Sequence, residues 1–262
     1  MAYETILLDV RDGVAHLMLN RPENANGISL ALARDLMDAT LEIADDPGVR
    51  AILLTGAGAR FCGGGDVKEF AGHVDNLTPH LRAVLAHLHP AVEQLVRGDA
   101  PVVAAVQGSA AGAGLGLMAA ADIVIAGESA KFVMAYTAIG VSPDGASSWF
   151  LPRLVGVRRA LELTLTNRAL SAHEALEWGL VTKVVPDDDV QAEAADLAAR
   201  LAKGPTRAFA GAKRLIHESL QSTFETHLAL EAELIVSGGA TYDAAEGMRS
   251  FVEKRPPEFR GE

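Results

Sequence analysis

The order of apolar and polar positions divides the chain into two parts that meet near residue 200. Upstream, short apolar runs of strand length alternate with glycine-bearing loops and helical stretches; downstream, every apolar position follows helical spacing. Thr5 to Val10 and Val14 to Leu19 are strand-like, and Arg11-Asp12-Gly13 between them predicts a hairpin. Asn20-Arg21-Pro22 ends the second strand, because proline cannot donate to a ladder. Leu32, Leu36, Ala39 and Ile43 set a helix over residues 29–44, with Ser29 as its cap and Asp45-Asp46-Pro47-Gly48 as its stop.

AILLTG (Ala51 to Gly56) and PVVAAV (Pro101 to Val106) are continuous apolar runs, the pattern of buried strands. His73 to Thr78 is polar and predicts a surface loop, followed by a helix over residues 81–96 that Pro90 should kink or divide. Lys131 to Met134 predicts a short strand and Tyr136 to Ile139 a helical turn. Two helices over 146–154 and 157–165 are separated by Gly156. Ser171-Ala172-His173-Glu174 is a capping box, and Leu180 to Val185 is the last strand. Beyond Pro205, Phe209, Ala212, Leu215 and Ile216 line one helix face, and Phe224, Leu228 and Ile235 line the next. The pattern predicts a core over 1–200 and a helical region over 201–262. Those stripes suit either the chain's own core or a second subunit.

Both buried strands lead into glycine turns. AILLTG runs into AGARFCGGGDV, with Gly63, Gly64 and Gly65 in a row, and PVVAAV runs into QGSAAGAGLGL, where Gly112 and Gly114 bracket a helix start. A backbone without side chains lets a ligand reach main-chain amides, and a helix start adds partial positive charge. Two such turns aimed at one point would hold an oxygen that gains negative charge during a reaction. Either loop alone is equally what a tight turn needs.

Composition removes several other functions. With 23 Lys and Arg against 34 Asp and Glu, the net charge of −11 argues against a nucleic-acid partner, and no basic run offsets it. The single cysteine, Cys62, permits no intrachain disulfide and suits a reducing compartment. The opening MAYETILLDVRDG lacks a signal-peptide pattern, and glycine turns and charges interrupt the apolar segments, so a soluble cytoplasmic protein is expected. Cys62 reads as a small buried side chain, and His73, His80, His87 and His217 read as solvated.

The two glycine loops resemble those of the enoyl-CoA hydratase/isomerase (crotonase) family. So do NRPE (Asn20 to Glu23), RFCGGGDVKEF, ADIVIAG, SAKF, IGVSPDGASSWFLPRLVG (Ile139 to Gly156) and ALEWGLVTKVVP, in family order over nearly the whole chain. The resemblance implies an α/β fold, a spiral of β-β-α turns with a C-terminal helical trimerisation region, assembled as a trimer or a pair of trimers. It implies an acyl-CoA substrate whose thioester oxygen meets the Gly65 and Ala113 amides, with coenzyme A belonging to the substrate, no separate cofactor and no metal. Ala113 stands where many relatives have glycine. For the CoA portion it implies the backbone of Gly63, Gly64, Asp66 and Val67, with Arg21 or Arg60 at the phosphates and Phe251 and Lys254 in a tail that covers a neighbour's CoA.

Family hydratases hold water between two glutamates. The resemblance puts those positions at Gly116 and Tyr136, so both acids are absent. It also marks Asp144, in Ser142-Pro143-Asp144-Gly145, as the working carboxylate of isomerases and of an aryl-CoA dehalogenase, especially near the branch with ring-epoxide phenylacetyl-CoA isomerases. Pro-Asp-Gly is also a turn signature, and Asp caps helices well. Tyr136 and His89 fall at pocket positions, and Trp149, Phe150 and Ile139 are expected as apolar walls beside Asp144. An enoyl-CoA isomerase is the expected activity. A hydratase, a dehalogenase-like enzyme and a non-catalytic CoA-binding relative remain open.

Overall fold

A computed structural model describes residues 3–262. Its strands are β1 (Ile6–Arg11), β2 (Val14–Leu19), β3 (Ala51–Gly56), β4 (Val102–Val106), β5 (Ser109–Ala111), β6 (Ile123–Gly127), β7 (Lys131–Val133), β8 (Leu170–Ser171) and β9 (Lys183–Val185). Its helices are α1 (Leu30–Asp45), α2 (Val67–Gly72), α3 (Leu77–Arg97), α4 (Ala113–Ala119), α5 (Ser147–Val155), α6 (Val157–Thr166), α7 (Ala172–Glu177), α8 (Val190–Ala202), α9 (Thr206–Ser219), α10 (Phe224–Gly238) and α11 (Tyr242–Glu253).

A six-stranded sheet has the order β1-β2-β3-β4-β6-β9, antiparallel only at the β1–β2 hairpin. Asp12 (φ 50°) and Gly13 (φ 77°) make the hairpin's two-residue turn, whose left-handed positions match the twist of the strands it joins. The continuous apolar runs are explained by burial of both sheet faces. Ile52, Leu54, Val102 and Ala104 pack into the main core with α1 and α3; Leu53, Val103 and Ala105 pack into a second core with Val190, Ala194 and Ala198 of α8. Adjacent residues in one strand thus belong to different cores.

A second, three-stranded sheet, β5-β7-β8, includes a strand that glycine-rich composition concealed: Ser109–Ala111 pairs in parallel with Lys131–Val133. The expected caps form, with Ser29 Oγ accepting from Leu32 N at 3.1 Å and the box at Ser171 complete. Three boundaries differ from expectation. α3 starts at Leu77 and is not divided at Pro90, because the proline and the Ala86 carbonyl it leaves unpaired lie on the exposed side. The polar stretch from His73 is mostly a single 3-10 turn, Val74–Asn76, leading straight into α3. The last strand is only Lys183–Val185; Leu180 and Val181 are buried in the turn after α7.

β3 and β4 are parallel neighbours, so the loops that follow them leave the sheet at the same edge. Both predicted glycine turns therefore begin side by side.

Candidate active site

The two glycine loops are paired along their length. Phe61 N donates to Gln107 O (2.9 Å), Cys62 N to Ser109 O (3.1 Å) and Ala111 N to Cys62 O (3.0 Å). The approach is closest at the glycines. A methyl on Gly64 would sit 2.8 Å from Ala111 O and 3.5 Å from Gly112 Cα, and Gly64 itself has φ +97°. Gly112 (φ 50°, ψ −126°) then turns the chain into α4, in a conformation that favours glycine.

This pairing decides where the amides point. Gly65 bridges Ile28 in parallel: Ile28 N donates to Gly64 O and Asp66 N to Ile28 O, so Gly65's own N–H faces the opposite side. Ala113 opens α4, and the first amides of a helix have no partner within it. Among the described residues, neither the Gly65 nor the Ala113 N–H donates to the rest of the chain. Two free donors on adjoining turns can serve a carbonyl oxygen.

The Asp144 turn lies against the same helix start. A methyl on Gly145 would sit 3.6 Å from Ala113 Cβ. Gly116 is the hinge of this arrangement: a Cβ there would fall 2.3 Å from Gly145 O, closer than atoms can approach. Position 116 therefore has no room for a larger side chain beside the backbone that carries Asp144. Gly145 (φ 55°) and Ala146 (φ 61°) both adopt left-handed conformations, which a non-glycine residue rarely does.

Asp144 does not cap α5. Ala146 holds the cap position, with no side-chain bond to the helix amides. The carboxylate instead accepts at Oδ1 from the Tyr136 hydroxyl at 2.7 Å. Tyr136 is buried, and its ring comes within 4.0 Å of where a Gly112 methyl would be. Burial pushes the Asp144 pKa above the usual carboxylate value; the Tyr136 hydrogen bond and the charge of His89 pull the other way. Burial and the adjacent carboxylate raise the Tyr136 phenol, so it stays protonated.

The enoyl-CoA hydratase/isomerase family model matches residues 9–262. The chain belongs to that family. It is 39% identical over 259 residues to the 1,2-epoxyphenylacetyl-CoA isomerase of Escherichia coli K12, covering 98% of this chain and 99% of that protein. It is 41% identical over 261 residues to a Rhodobacter capsulatus protein named "Probable enoyl-CoA hydratase", covering 100% of both. The enoyl-CoA hydratase structure from Bacillus anthracis superposes with a TM-score of 0.93 at 36% identity, covering 99% of this chain and 100% of that one. The mixed α/β fold with a C-terminal helical region is thus the family's fold.

The remaining predicted positions scatter around this crotonase-family site. His89 is exposed on α3 and lines, with Trp149, Phe150 and Ala146, a cleft of about 340 Å³ between α3 and α5. Trp149, 38% exposed, lines that cleft with the Arg153 guanidinium 3.2 Å from its ring centroid. Ile139 is 54% exposed, so among the expected apolar neighbours Phe150 alone is buried. Arg21 pairs with Asp66 Oδ2 at 2.9 Å, while Asp66 Oδ1 accepts from Glu69 N and caps α2. Arg21, which also donates to Gly27 O, thus ties the segment after β2 to the Asp66 cap of α2. Gly63 and Val67 are exposed on that loop, as are Arg60 before it and Phe251 and Lys254 at the end of α11.

Three histidines depart from the solvated reading: His87 is half-buried with Nδ1 2.7 Å from Ala83 O, and His80 and His217 pack against neighbours. His80 Nε2 meets Glu69 Oε1 at 2.8 Å with its side chain 9% exposed, and it stacks on His73 with ring centroids 4.1 Å apart. His217 packs edge-on against Phe150. Cys62 is fully buried, and burial lifts its thiol pKa to about 12, as its inert reading requires. Phe70 was missed: its ring stands where a Gly65 side chain would be, with Cε2 2.6 Å from the Cβ position, and so roofs the glycine turn. Asp66 three residues before Glu69, with Val67 and Phe70 at helical spacing, is the local signal that could place Phe70 on a short helix. Among the described residues no His, Cys, Asp and Glu group is placed to hold a metal, and no helix is long and apolar enough to cross a membrane.

Proposed function

We propose that the protein is an enoyl-CoA isomerase that shifts a double bond with Asp144 as its only proton carrier. The carrying observation is the Asp144 carboxylate, half-buried and held beside the start of α4, whose free amide adjoins that of the Gly65 turn. A 3-enoyl-CoA places its thioester oxygen on the Gly65 and Ala113 amides. Asp144 takes a proton from C2, the C–H electrons pass into a dienolate held by those amides, and the acid returns the proton to C4. One carboxylate suffices because it gives back what it takes. Hydration must also activate water, and the Gly116 contact leaves no room for a second acid there. CoA enters as part of the substrate, and the chemistry needs no resident cofactor or metal.

The likeness to the ring-epoxide isomerase supports a related rearrangement of aromatic thioesters at the same base. The hydratase reading has the Rhodobacter relative's name in its favour. The working form is a trimer or pair of trimers, with residues 1–200 as the catalytic core and 201–262 as the oligomerisation region; the acidic surface and reducing setting suit the cytoplasm. The loop around Gly63, Gly64 and Val67 meets the CoA, and Phe251 and Lys254 reach a neighbour's.

Asp144→Asn, assayed with a 3-enoyl-CoA, should lower kcat by about 10²–10⁴-fold. Undiminished isomerisation by that variant would remove Asp144 from the mechanism, and a 3-hydroxy product from a 2-enoyl-CoA would establish hydration instead.

A further inference from the structure

Three groups converge on Asp144, and they do not treat its two carboxylate oxygens alike. Ser147 donates twice to the Asp144 main-chain carbonyl, through N at 3.0 Å and through Oγ at 2.7 Å. The Tyr136 hydroxyl lies 3.0 Å from that same carbonyl and 2.7 Å from Oδ1. A phenol has a single proton to give, and the carbonyl is already served, so the proton goes to the shorter, charged acceptor. Oδ2 has no hydrogen-bond partner among the described residues. Tyr136 is itself fixed: its N–H donates to Met134 O, and its carbonyl accepts from Ile139 and Val141.

We infer that Tyr136 is a positioning residue that reserves Oδ1, so that Oδ2 alone removes the proton from C2 and delivers it to C4 on the same face of the substrate. This rests on the isomerase reading above. It narrows the substrate class to acyl-CoA thioesters whose two exchanging carbons lie on one face within reach of a single oxygen. The atoms balance within the site. The C2 proton becomes the Oδ2 proton while its electron pair enters the dienolate; the C3=C4 pair then takes the O–H proton at C4, the C1=C2 pair moves to form C2=C3, and the oxygen's pair restores the thioester carbonyl. No outside acid, base or oxidant takes part. Because Oδ1 stays bonded, the carboxyl cannot rotate to present its proton to solvent between the two steps.

The ionisable groups that face this aspartate are few. From α3, His89 acts on it directly, with Glu93 and Arg97 further along the cleft; from α9, His217 packs edge-on against Phe150. The Tyr136 bond favours the ionised carboxylate, so its removal should shift the acidic limb of the kcat profile to higher pH.

The experiment compares Tyr136→Phe with the unaltered protein on a 3-enoyl-CoA carrying deuterium at C2, run in ordinary water. The unaltered protein should retain label at C4. The variant should lose about tenfold to a hundredfold in kcat, keep KM within about twofold, shift its acidic limb upward and release the label to solvent. Binding of a saturated acyl-CoA, which cannot react, should be unchanged and so separates this outcome from misfolding. A variant with the original acidic limb and the original label retention overturns the assignment, whatever its melting temperature. If Asp144→Asn is inactive while Tyr136→Phe behaves as the unaltered protein, only the positioning role falls; if Asp144→Asn keeps its activity, the isomerase reading falls with it.

Discussion

The corner around Gly64, Gly112 and Gly145 and the helix pair α10–α11 are built on opposite rules. At the corner, backbone packs directly against backbone, all seven residues of α4 are buried, and the Gly65 and Ala113 amides have no partner among the described residues. In α11 the polar residues are the buried ones. Asp243, Glu246 and Ser250 face inward, while Met248, Phe251 and Val252 are exposed, together with Ile235 and Val236 of α10. Backbone and side chains from the end of the chain satisfy those acids: Arg255 forks onto Glu246, and the Arg260 and Gly261 amides donate to Asp243. The corner is complete within one chain. The C-terminal helices are complete only in their polar contacts and leave their apolar face unmatched, unlike α9, which Lys213 fastens to the core through Asp122 and two carbonyls.

The sharpest way to break the corner is Gly116→Glu, which installs the acid that hydration uses. With Gly145 O 2.3 Å from the Cβ position, the Asp144 turn must move, and a displacement of about 1 Å costs about 10²-fold in rate. Isomerase kcat should fall by at least that much, and no hydratase should appear in its place, as a product assay with both enoyl-CoA isomers would register. Gain of hydration at the original isomerase rate would mean that the turn is compliant and that Gly116 does not define the reaction.

The contrast between the regions also marks what the sequence made legible. The longer apolar strands, the caps, the hairpin turn and both glycine loops depend on neighbours close in the chain and are readable, while the three-residue strand Ser109–Ala111 within a glycine loop is not. Gly116 was visible only as a missing acid; its contact with Gly145, 29 positions away, has no local signature. The Tyr136–Asp144 bond is likewise a tertiary fact, as are the Arg21–Asp66 pair and the His80–Glu69 contact. Ile139 reads as a buried wall because it is apolar, but an outward-facing helical turn carries the same letter, and it is 54% exposed. Phe251 and Lys254 could be placed on a helix end, while the inversion of α11 depends on Arg255 and the residues after it folding back.

In the C-terminal helices the matching test is Ile235→Asp, at a side chain 76% exposed. A surface substitution changes the stability of the single chain by about 0.5 kcal/mol or less. If a second copy covers this face, the same change buries an unpaired charge and the assembly should fall to smaller species in sedimentation. An unchanged molecular mass would show that α10 is free in the working form and that the corner alone makes the enzyme.

The smallest effect should come from acid. Arg255 and the Glu258 amide hold the Glu246 pKa down from 4.5 to about 2. A carboxylate whose folded pKa is depressed stabilises the fold fully above its unfolded value, and that contribution disappears as pH falls through the folded one. Docking of the end of the chain onto α11 should therefore be intact above about pH 4.5 and weaken progressively toward about pH 2. Asp144 sits on the other side of this comparison: its pKa is raised, so its carboxylate is neutralised at a higher pH than the Glu246 clasp is. Activity should fail first on acidification, and amide exchange in residues 243–262 should rise only afterwards. Arg255→Met should abolish the later transition and leave the earlier one where it was, since Arg255 reaches no residue of the corner. If both transitions move together in that variant, the two regions are coupled, and the helices do more for the site than stand beside it.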